Sequence, residues 1–524
     1  MENFLSQVAK INDVINGFAW GWFAIIMLLG TGLITTVITK CFQISHIGHW
    51  WKQTIGSMLH KRTRHNKDKG AVSQFQALCT ALAATVGVGN IAGVSAAIIT
   101  GGPGAVFWMW VAAILGMMTN YSENILGIYF RRKNHAGEWS GGAMYYLQDG
   151  LGSYKGMKTV GRVLAIIFAI CAVLASFGIG NMGQVNKIVL NFTSSFNIKP
   201  LSNVVLFSSA DMDVTLYMLI AGIVLMFLVG TVVIGGLQRI ANVAEKIVPV
   251  MVVLFVIGSL IIIGVNISHV GSAFAAIFKG AFNAPAVWGG ATGIAFKTII
   301  TQGCKRGVFS NEAGLGSSVM VHSNSNVVEP VKQGLWGIFE VFADTIIVCT
   351  MTALVILTSG VINLETGAIE TTSDAVLVAD AFNSVFNFKG IEFGRMFVAL
   401  AILVFAFTTI LGWSQYGSKA VEYLAGDKAP VATKIYKCFF VLLIVSGSIM
   451  TSSIAWDISD TFNGLMMLPN LVGVLSMSPL VMKITSNYVA RRLHGKTDIE
   501  PVLSYDPEIQ AQNAKILAEN PDID

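Results

Sequence analysis

Two glycine clusters lie inside long apolar stretches, at Gly87, Gly89 and Gly93 and again at Gly289, Gly290 and Gly293. Glycine inside a helix costs about 1 kcal/mol relative to alanine and lets the backbone unwind. Where a membrane helix unwinds, one half offers free carbonyls and the other offers free N–H groups at a positive dipole end. Carbonyls suit an ammonium group or Na⁺, and N–H groups suit a carboxylate, so a zwitterion finds a partner for each end. At the first cluster the donors are expected from Val88, Gly89 and Asn90, and the carbonyls from Ala83, Ala84, Thr85 and Val86. The second cluster would add carbonyls from Gly289, Gly290, Ala291 and Thr292. The alternative for both is close helix packing through small residues. Asn90, a costly polar group beside the glycines, favours a site at TVGVGN. GVGNIAG is no dinucleotide fingerprint, because its spacing is wrong and no strand precedes it.

Thr408 and Thr409 stand together in AFTTILGW, a pair of hard oxygens that would suit a sodium ion. The alternative is that each hydroxyl bonds the carbonyl one turn back. Trp413 follows Thr409 by one turn and shares its helix face, so its indole is expected to wall the pocket and limit side-chain size. Phe177, midway along another apolar stretch, is a second candidate wall, against ordinary packing. Intramembrane charges are expensive. Glu123, Lys297, Glu340 and Asp344 are the main cases; Glu340 and Asp344 could pair with Lys297 or Lys305 at a cytoplasmic gate, or stand at wet helix ends.

Elements that could hold these residues must cross a bilayer. Hydrophobic residues make up 54% of the 524 residues and charged ones 12%, far from the soluble average of roughly 25% charged. The apolar runs reach the roughly 20 residues that span about 30 Å of hydrocarbon. Eleven spans are expected, near 20–39, 73–100, 105–130, 162–190, 214–236, 246–265, 273–303, 334–359, 395–416, 435–454 and 458–482. The glycine-interrupted second and seventh lie five apart and therefore cross in opposite directions. Dropping the first span leaves five plus five, the arrangement of an inverted repeat.

Residues 1–19 carry Phe4, Leu5, Val8, Ile11, Ile15 and Phe18 at helical spacing, an amphipathic segment at the interface with no cleaved signal peptide evident. Lysine and arginine crowd the 40–70 loop, and Arg491, Arg492 and Lys496 open the 491–524 tail, whereas the 360–393 loop is acidic. An all-α integral membrane protein with its N-terminus outside and its C-terminus inside follows, its transport domain spanning 20–490. The net charge of +5 comes from short loops and does not suggest nucleic acid. The six cysteines form no CxxC pair and the eight histidines no HExxH, so neither a structural metal nor an organic cofactor is expected.

GGPGAVFWMWVAAILGM (101–117) resembles the signature segment of the alanine or glycine:cation symporter family. GVGNIAGV (87–94), SGGAMYYL (140–147), TQGCKRGVFSNEAGLGSS (301–318) and TILGWSQYG (409–417) resemble its other boxes, and the likeness covers about residues 15–490. The resemblance implies a fold like that of the bacterial leucine transporter with one extra leading helix. It implies sodium-coupled import of alanine or glycine across the cytoplasmic membrane. It also implies a sodium site shared by Thr408 and Thr409 with the carbonyls of Ala83, Val86 and Phe405. The fourth span, LASFGIGNMGQ, lacks the tyrosine that leucine-transporter relatives carry there.

The runner-up is the same fold importing glutamine or serine, or coupling to protons. Proton coupling would need a titratable residue beside the break, and in the sequence only the neutral Thr85 and Asn90 stand there. An integral membrane enzyme would need a convergent nucleophile, base or metal cluster, and the sequence offers no GxSxG, HExxH or paired aspartates within a span. A channel would repeat one pore motif by oligomer symmetry, whereas this chain carries two halves. Sodium, a small neutral amino acid and lipid are the expected partners, with the oligomeric state open.

Overall fold

The computed structural model describes residues 2–59, 70–134, 136–196, 198–208, 213–282, 296–364, 374–450 and 454–520. Helix α1 (Glu2–Ala19) leads into α2 (Trp22–Ile38). Its apolar side, with Ile11, Val14 and Phe18, is exposed, while Asn16 on the other side donates to Asp460 at 3.1 Å. Three short helical turns between Phe42 and Leu59 follow, and Trp50 among them is buried.

Helix α3 (Gln74–Thr85) and α4 (Val94–Gly101) are two halves of one bent crossing. Ser73 starts α3 with a capping box: its hydroxyl accepts from the Gln76 N–H at 3.1 Å and the Gln76 side chain returns the bond at 3.0 Å. Val86 leaves the helical region, Gly89–Gly93 is wound as a π-helix, and the halves diverge by 54°. The sequence reason is the glycine cluster, which lets the backbone leave helical geometry there at least cost. After Pro103 the chain turns into α5 (Gly104–Tyr129).

Helices α6 (Lys158–Phe177) and α7 (Gly183–Ser195) are joined by a π-helical turn at Gly178–Met182. Next come α8 (Leu216–Val233), α9 (Gly236–Val265) and α10 (Ile267–Phe282). Helix α11 (Phe296–Asn311) ends in an irregular stretch, 312–318, before a short turn at Val319–His322. Helices α12 (Pro330–Val341) and α13 (Thr350–Thr358) are joined by the π-helical Phe342–Cys349. The remainder is α14 (Asp374–Asn383), α15 (Phe393–Ala425), α16 (Ala429–Ser448), α17 (Ile454–Ser476), α18 (Ser478–Arg492) and α19 (Pro507–Glu519).

Among the described residues, seven helical runs are long and apolar enough to cross a membrane, nine if each of two bent pairs is one span. One of the seven, Phe393–Ser448, doubles back at Gly426 (φ 53°): Tyr436 on α16 lies against Gly417 on α15. Phe227, Leu254 and Ile435 are among the large apolar side chains left exposed on these helices, as a lipid-facing surface requires. The C-terminal residues fold back onto the bundle. Arg491 and Arg492 bond Glu329 at 2.6 and 2.7 Å, and Leu503 and Leu517 pack with Val328.

The expected seventh span differs most from the structure. Residues 283–295, with the second glycine cluster, lie outside the described residues. The interruption that packs against the first break is instead 312–318, where Glu312, Gly314 and Gly316 take φ of 55°, 92° and 73°. Helix α11 runs antiparallel to α4: Gly101 lies against Ile299 and Gln302, and Gly89 against Phe309 and Ser310. The loop expected at 360–393 contains α14, whose Ala375, Val378 and Phe382 are buried, with the Phe382 ring stacked on Phe397 of α15.

Helix α15 crosses the first break at van der Waals contact. A Cβ on Gly412 would stand 2.6 Å from Ala84 Cβ and 2.8 Å from its backbone nitrogen. Gly412→Val should therefore destabilise the protein by about 1–3 kcal/mol, the range for overpacking, read as a lower thermal unfolding temperature in detergent. A Cβ on Gly93 meets nothing within 4 Å, so Gly93→Ala should leave that temperature unchanged or raise it.

Candidate functional site

Around the first break the polar groups are satisfied by side chains rather than by helix bonds. Asn90 Oδ1 accepts the Gly87 N–H at 2.9 Å, and the Asn90 N–H donates to the Gly87 carbonyl at 3.2 Å. That N–H, expected to hold a carboxylate, is thus turned into the loop. Asn90 Nδ2 donates to Asp344 Oδ1 at 2.6 Å. The other Asp344 oxygen accepts from Ser310 and Thr345, both at 2.8 Å. At the second break Asn311 repeats the pattern: its Oδ1 accepts the Ala313 N–H at 3.0 Å and its Nδ2 donates to Thr345 Oγ1 at 3.0 Å. Each break thus has an asparagine that caps its own loop and reaches the same turn of Phe342–Cys349.

The second break is also clamped from behind. Asn470 Nδ2 donates to the Gly314 carbonyl at 2.8 Å and to Glu123 Oε1 at 2.5 Å, while Tyr146 donates to Asn470 Oδ1. Glu123 is wholly buried in this clamp. Glu340 bonds His322 at 3.0 Å and Asn120 at 3.1 Å, deep in the protein. The pairing of Glu340 and Asp344 with Lys297 or Lys305 is therefore corrected. Lys305 bonds Asp460 at 2.7 Å, and both acids are fully buried among neutral donors and His322.

Between the breaks and α15 lies a small pocket lined by Ala84, Thr85, Gly87, Gly89, Thr409 and Trp413. Ile179, Gln184, Phe309, Glu312 and Asn463 complete it. Gly87 packs on the Thr409 hydroxyl, and Trp413 is held by Gly180 on one side and by Tyr416 edge-on at 5.3 Å. Thr408 and Thr409 both donate to the Phe405 carbonyl, at 2.9 and 3.0 Å, and Thr408 also touches Met251 of α9. Each hydroxyl spends its proton there and keeps oxygen lone pairs free. Ala83, Val86, Val88, Asn90, Phe405 and Thr408 are buried just behind the pocket wall.

Phe177 does not line this pocket. Its ring packs against Tyr436, Phe439 and Phe440 of α16 at 5.2 to 6.4 Å, and Ile179, in the π-helical turn that follows, faces the pocket instead. The wider π-helical turn rotates the face of the helix, which period counting from Phe177 does not anticipate. Gly289, Gly290, Ala291 and Thr292 lie outside the described residues. Sequence reasoning missed Glu312, Gln184 and Asn463. The signal for Glu312 was a carboxylate in NEAGLG, where Gly314 and Gly316 carry the same helix-breaking cost as the first cluster. Contrary to the expectation that only neutral residues stand beside the break, Glu312 lines the pocket and Asp344 bonds Asn90.

Comparison with known proteins agrees with this architecture. The profile of the sodium:alanine symporter family matches residues 5–502. The chain is 38% identical over 481 residues to the sodium/alanine symporter of Methanococcus maripaludis, covering 92% of this chain and 97% of that one. It is 32% identical to a putative sodium/proton-dependent alanine carrier of Bacillus subtilis, over 96% of this chain and 95% of the relative. It is also 32% identical to a probable sodium/glutamine symporter of the same organism, over 95% and 94%. Among solved structures, MhsT in complex with L-phenylalanine superposes with a TM-score of 0.51 at 12% identity, covering 80% of this chain and 98% of that one. That similarity speaks for the fold. The chain is a multi-pass membrane transporter, not an enzyme: a cation-coupled amino-acid symporter of the sodium:alanine symporter family.

Proposed function

We propose that the protein imports small neutral amino acids, alanine and glycine first, by symport with sodium. The observation that carries this reading is the contact of the Gly87 break with Thr409 in a small pocket walled by Trp413. The substrate lies against the break, its carboxylate toward the N–H groups of Val88 and Gly89 at the positive end of the second half-helix. Sodium is held by the Thr408 and Thr409 hydroxyls with the carbonyls of Ala83, Val86 and Phe405. Both hydroxyls bonding one carbonyl brings three of those five oxygens together. Trp413 takes the volume that a longer side chain would fill, which favours alanine over the glutamine named for one relative.

The antiparallel packing of α4 and α11, each ending at an asparagine-capped break, supports a five-plus-five inverted repeat behind one extra helix, eleven spans in all. Alternating access is then rocking of the elements around the fixed breaks. The basic 40–70 loop and the Arg491, Arg492 and Lys496 that follow the last span support an N-out, C-in orientation in the cytoplasmic membrane. Proton coupling is a second reading. Glu312 and Asp344 beside the breaks favour it, and a relative is named as sodium/proton-dependent.

In vesicles of purified protein, an inward sodium gradient should drive accumulation of labelled alanine, and choline in place of sodium should abolish it. Equal uptake under a proton gradient in sodium-free buffer would select the proton reading. Thr408→Val with Thr409→Val keeps volume but removes two oxygens, so the sodium KM should rise far more than the unfolding temperature falls; an unchanged sodium KM places the ion elsewhere. Trp413→Ala opens an apolar space next to the substrate methyl. A hydrophobic pocket discriminates by about 1–3 kcal/mol per methylene-sized change. Leucine and methionine should therefore compete tens of fold better against alanine uptake than in wild type, and alanine should bind more weakly.

A further inference from the structure

Away from the pocket, the two broken crossings are bonded to each other at one end, outside any helix. Val72, which precedes the capping box of α3, donates its N–H to the Asn324 carbonyl at 3.1 Å and accepts the Asn326 N–H at 2.9 Å. This bridge joins the start of the first broken crossing to a strap, residues 323–329, that follows the second break. The strap is buried throughout most of its length, with Ser323, Asn324 and Ser325 wholly inaccessible. Arg131, just past α5, donates to the strap carbonyls of Ser323, Ser325 and Val327 at 3.2, 2.5 and 2.6 Å. One end of the strap is thus fixed to α5.

The other end is held by the C-terminal tail. Glu329, 1% exposed, lies between Arg491 and Arg492, and Leu503 and Leu517 close over Val328. The Tyr505 N–H donates to the Tyr129 carbonyl at 2.9 Å and its ring packs on Phe130 at 5.1 Å, so the tail reaches from the strap to the end of α5. Gln510 Oε1 accepts the N–H groups of Leu503 and Ser504 at 2.8 and 2.9 Å, which folds the tail back on itself. The family profile ends at residue 502, so α19 is an addition to the shared transport unit. A helix of its 13 residues is marginal in water by itself, and it buries only Asn513 and Leu517. An element held by so small an apolar contact detaches before the core around it opens.

We propose that the tail, residues 491–519, is a latch that keeps the cytoplasmic side of the transporter closed by pinning the strap to which α3 is bonded. Opening on this side parts α3 from its neighbours and breaks both Val72 bonds. A strap held at Arg131, Val328 and Glu329 keeps those bonds in place, whereas a strap freed at Val328 and Glu329 lets α3 swing. Docking and release of α19 therefore shift the balance between the closed and open inner side without touching the pocket. The buried Glu329 carboxylate keeps the closed form specific, because it needs both guanidinium groups once it is out of water. This inference rests on the alternating-access and C-in reading above.

The test uses the native cysteines of the full-length protein in vesicles, modified by a membrane-impermeant maleimide and located by peptide mass. Cys41, exposed just past α2, reports which face the reagent reaches and so decides the orientation before any variant is compared. Should it react from the opposite face, the same comparison is made from that face. Cys79 is the reporter of opening. It is 1% exposed on α3, one turn past Gln76, whose side chain bonds Asn242 and Glu245 of α9 at 3.1 and 2.9 Å. Parting α3 from α9 uncovers it. Cys304, wholly buried on α11 among Ile25, Ala112 and Ile300, is the control. Leu517→Asp puts a charge into the Val328 contact and undocks α19. Modification of Cys79 should then speed up about tenfold or more, the weight of one buried leucine on a two-state equilibrium, with Cys304 changed by less than about threefold. An unchanged Cys79 rate overturns the proposal, and so does an equal rise at Cys304, which reports general loosening. If Leu517→Asp is not recovered folded, Leu517→Ala, which only trims the contact, should speed Cys79 several-fold with Cys304 unaffected; no change in that variant overturns it equally.

Discussion

The constraint on which the rest depends is that broken backbone at membrane depth must find its hydrogen bonds inside the protein. Lipid offers none, and each unmet group costs several kcal/mol. The chain opens two helices at its centre, at Val86–Val88 and at 312–318, and then closes every account it can with side chains. Asn90 caps Gly87, Asn311 caps Ala313, and Asn470 holds the Gly314 carbonyl. Because the first two asparagines also reach Asp344 and Thr345, one turn of a third crossing ties the two breaks together.

That solution explains features that otherwise look unrelated. Fully buried Glu123 serves the clamp on Asn470, and the His322–Glu340 pair lies deep in the same core. The π-helical turns at Gly89–Gly93, Gly178–Met182 and Phe342–Cys349 all lie beside the breaks. Such turns recur at functional sites because they re-aim a helix face without ending the helix. Here they bring Ile179 to the pocket, Gly180 to Trp413 and Asp344 to Asn90.

The groups left unsatisfied are as informative as those that are met. Among the described residues, Gln184 Oε1 and Asn463 Oδ1 line the pocket without a protein donor. A transporter has to bind its cargo well enough to load it and weakly enough to release it. A site that is polar on its ligand side and sealed on its protein side meets both needs, since rocking either break opens the pocket to water, which then satisfies the same atoms.

The sequence by itself determined the membrane class, the mostly helical build and the first break. Those depend on local quantities: runs of apolar residues matched to bilayer thickness, and glycines whose helix cost is independent of neighbours. Period counting along α15, which keeps regular α-geometry from Phe393 to Ala425, likewise set Trp413 one turn from Thr409, and both line the pocket. Tertiary structure alone decided the rest. Phe177 and Ile179 are two residues apart, and only the π-helical turn says which one reaches the pocket. Glu312 reads in the sequence as a polar turn after a helix, because nothing local reveals that α11 runs back along α4 and delivers it to the first break. Gln184 and Asn463 lie almost 280 residues apart, and their shared environment is a property of helix packing that no single stretch of chain encodes.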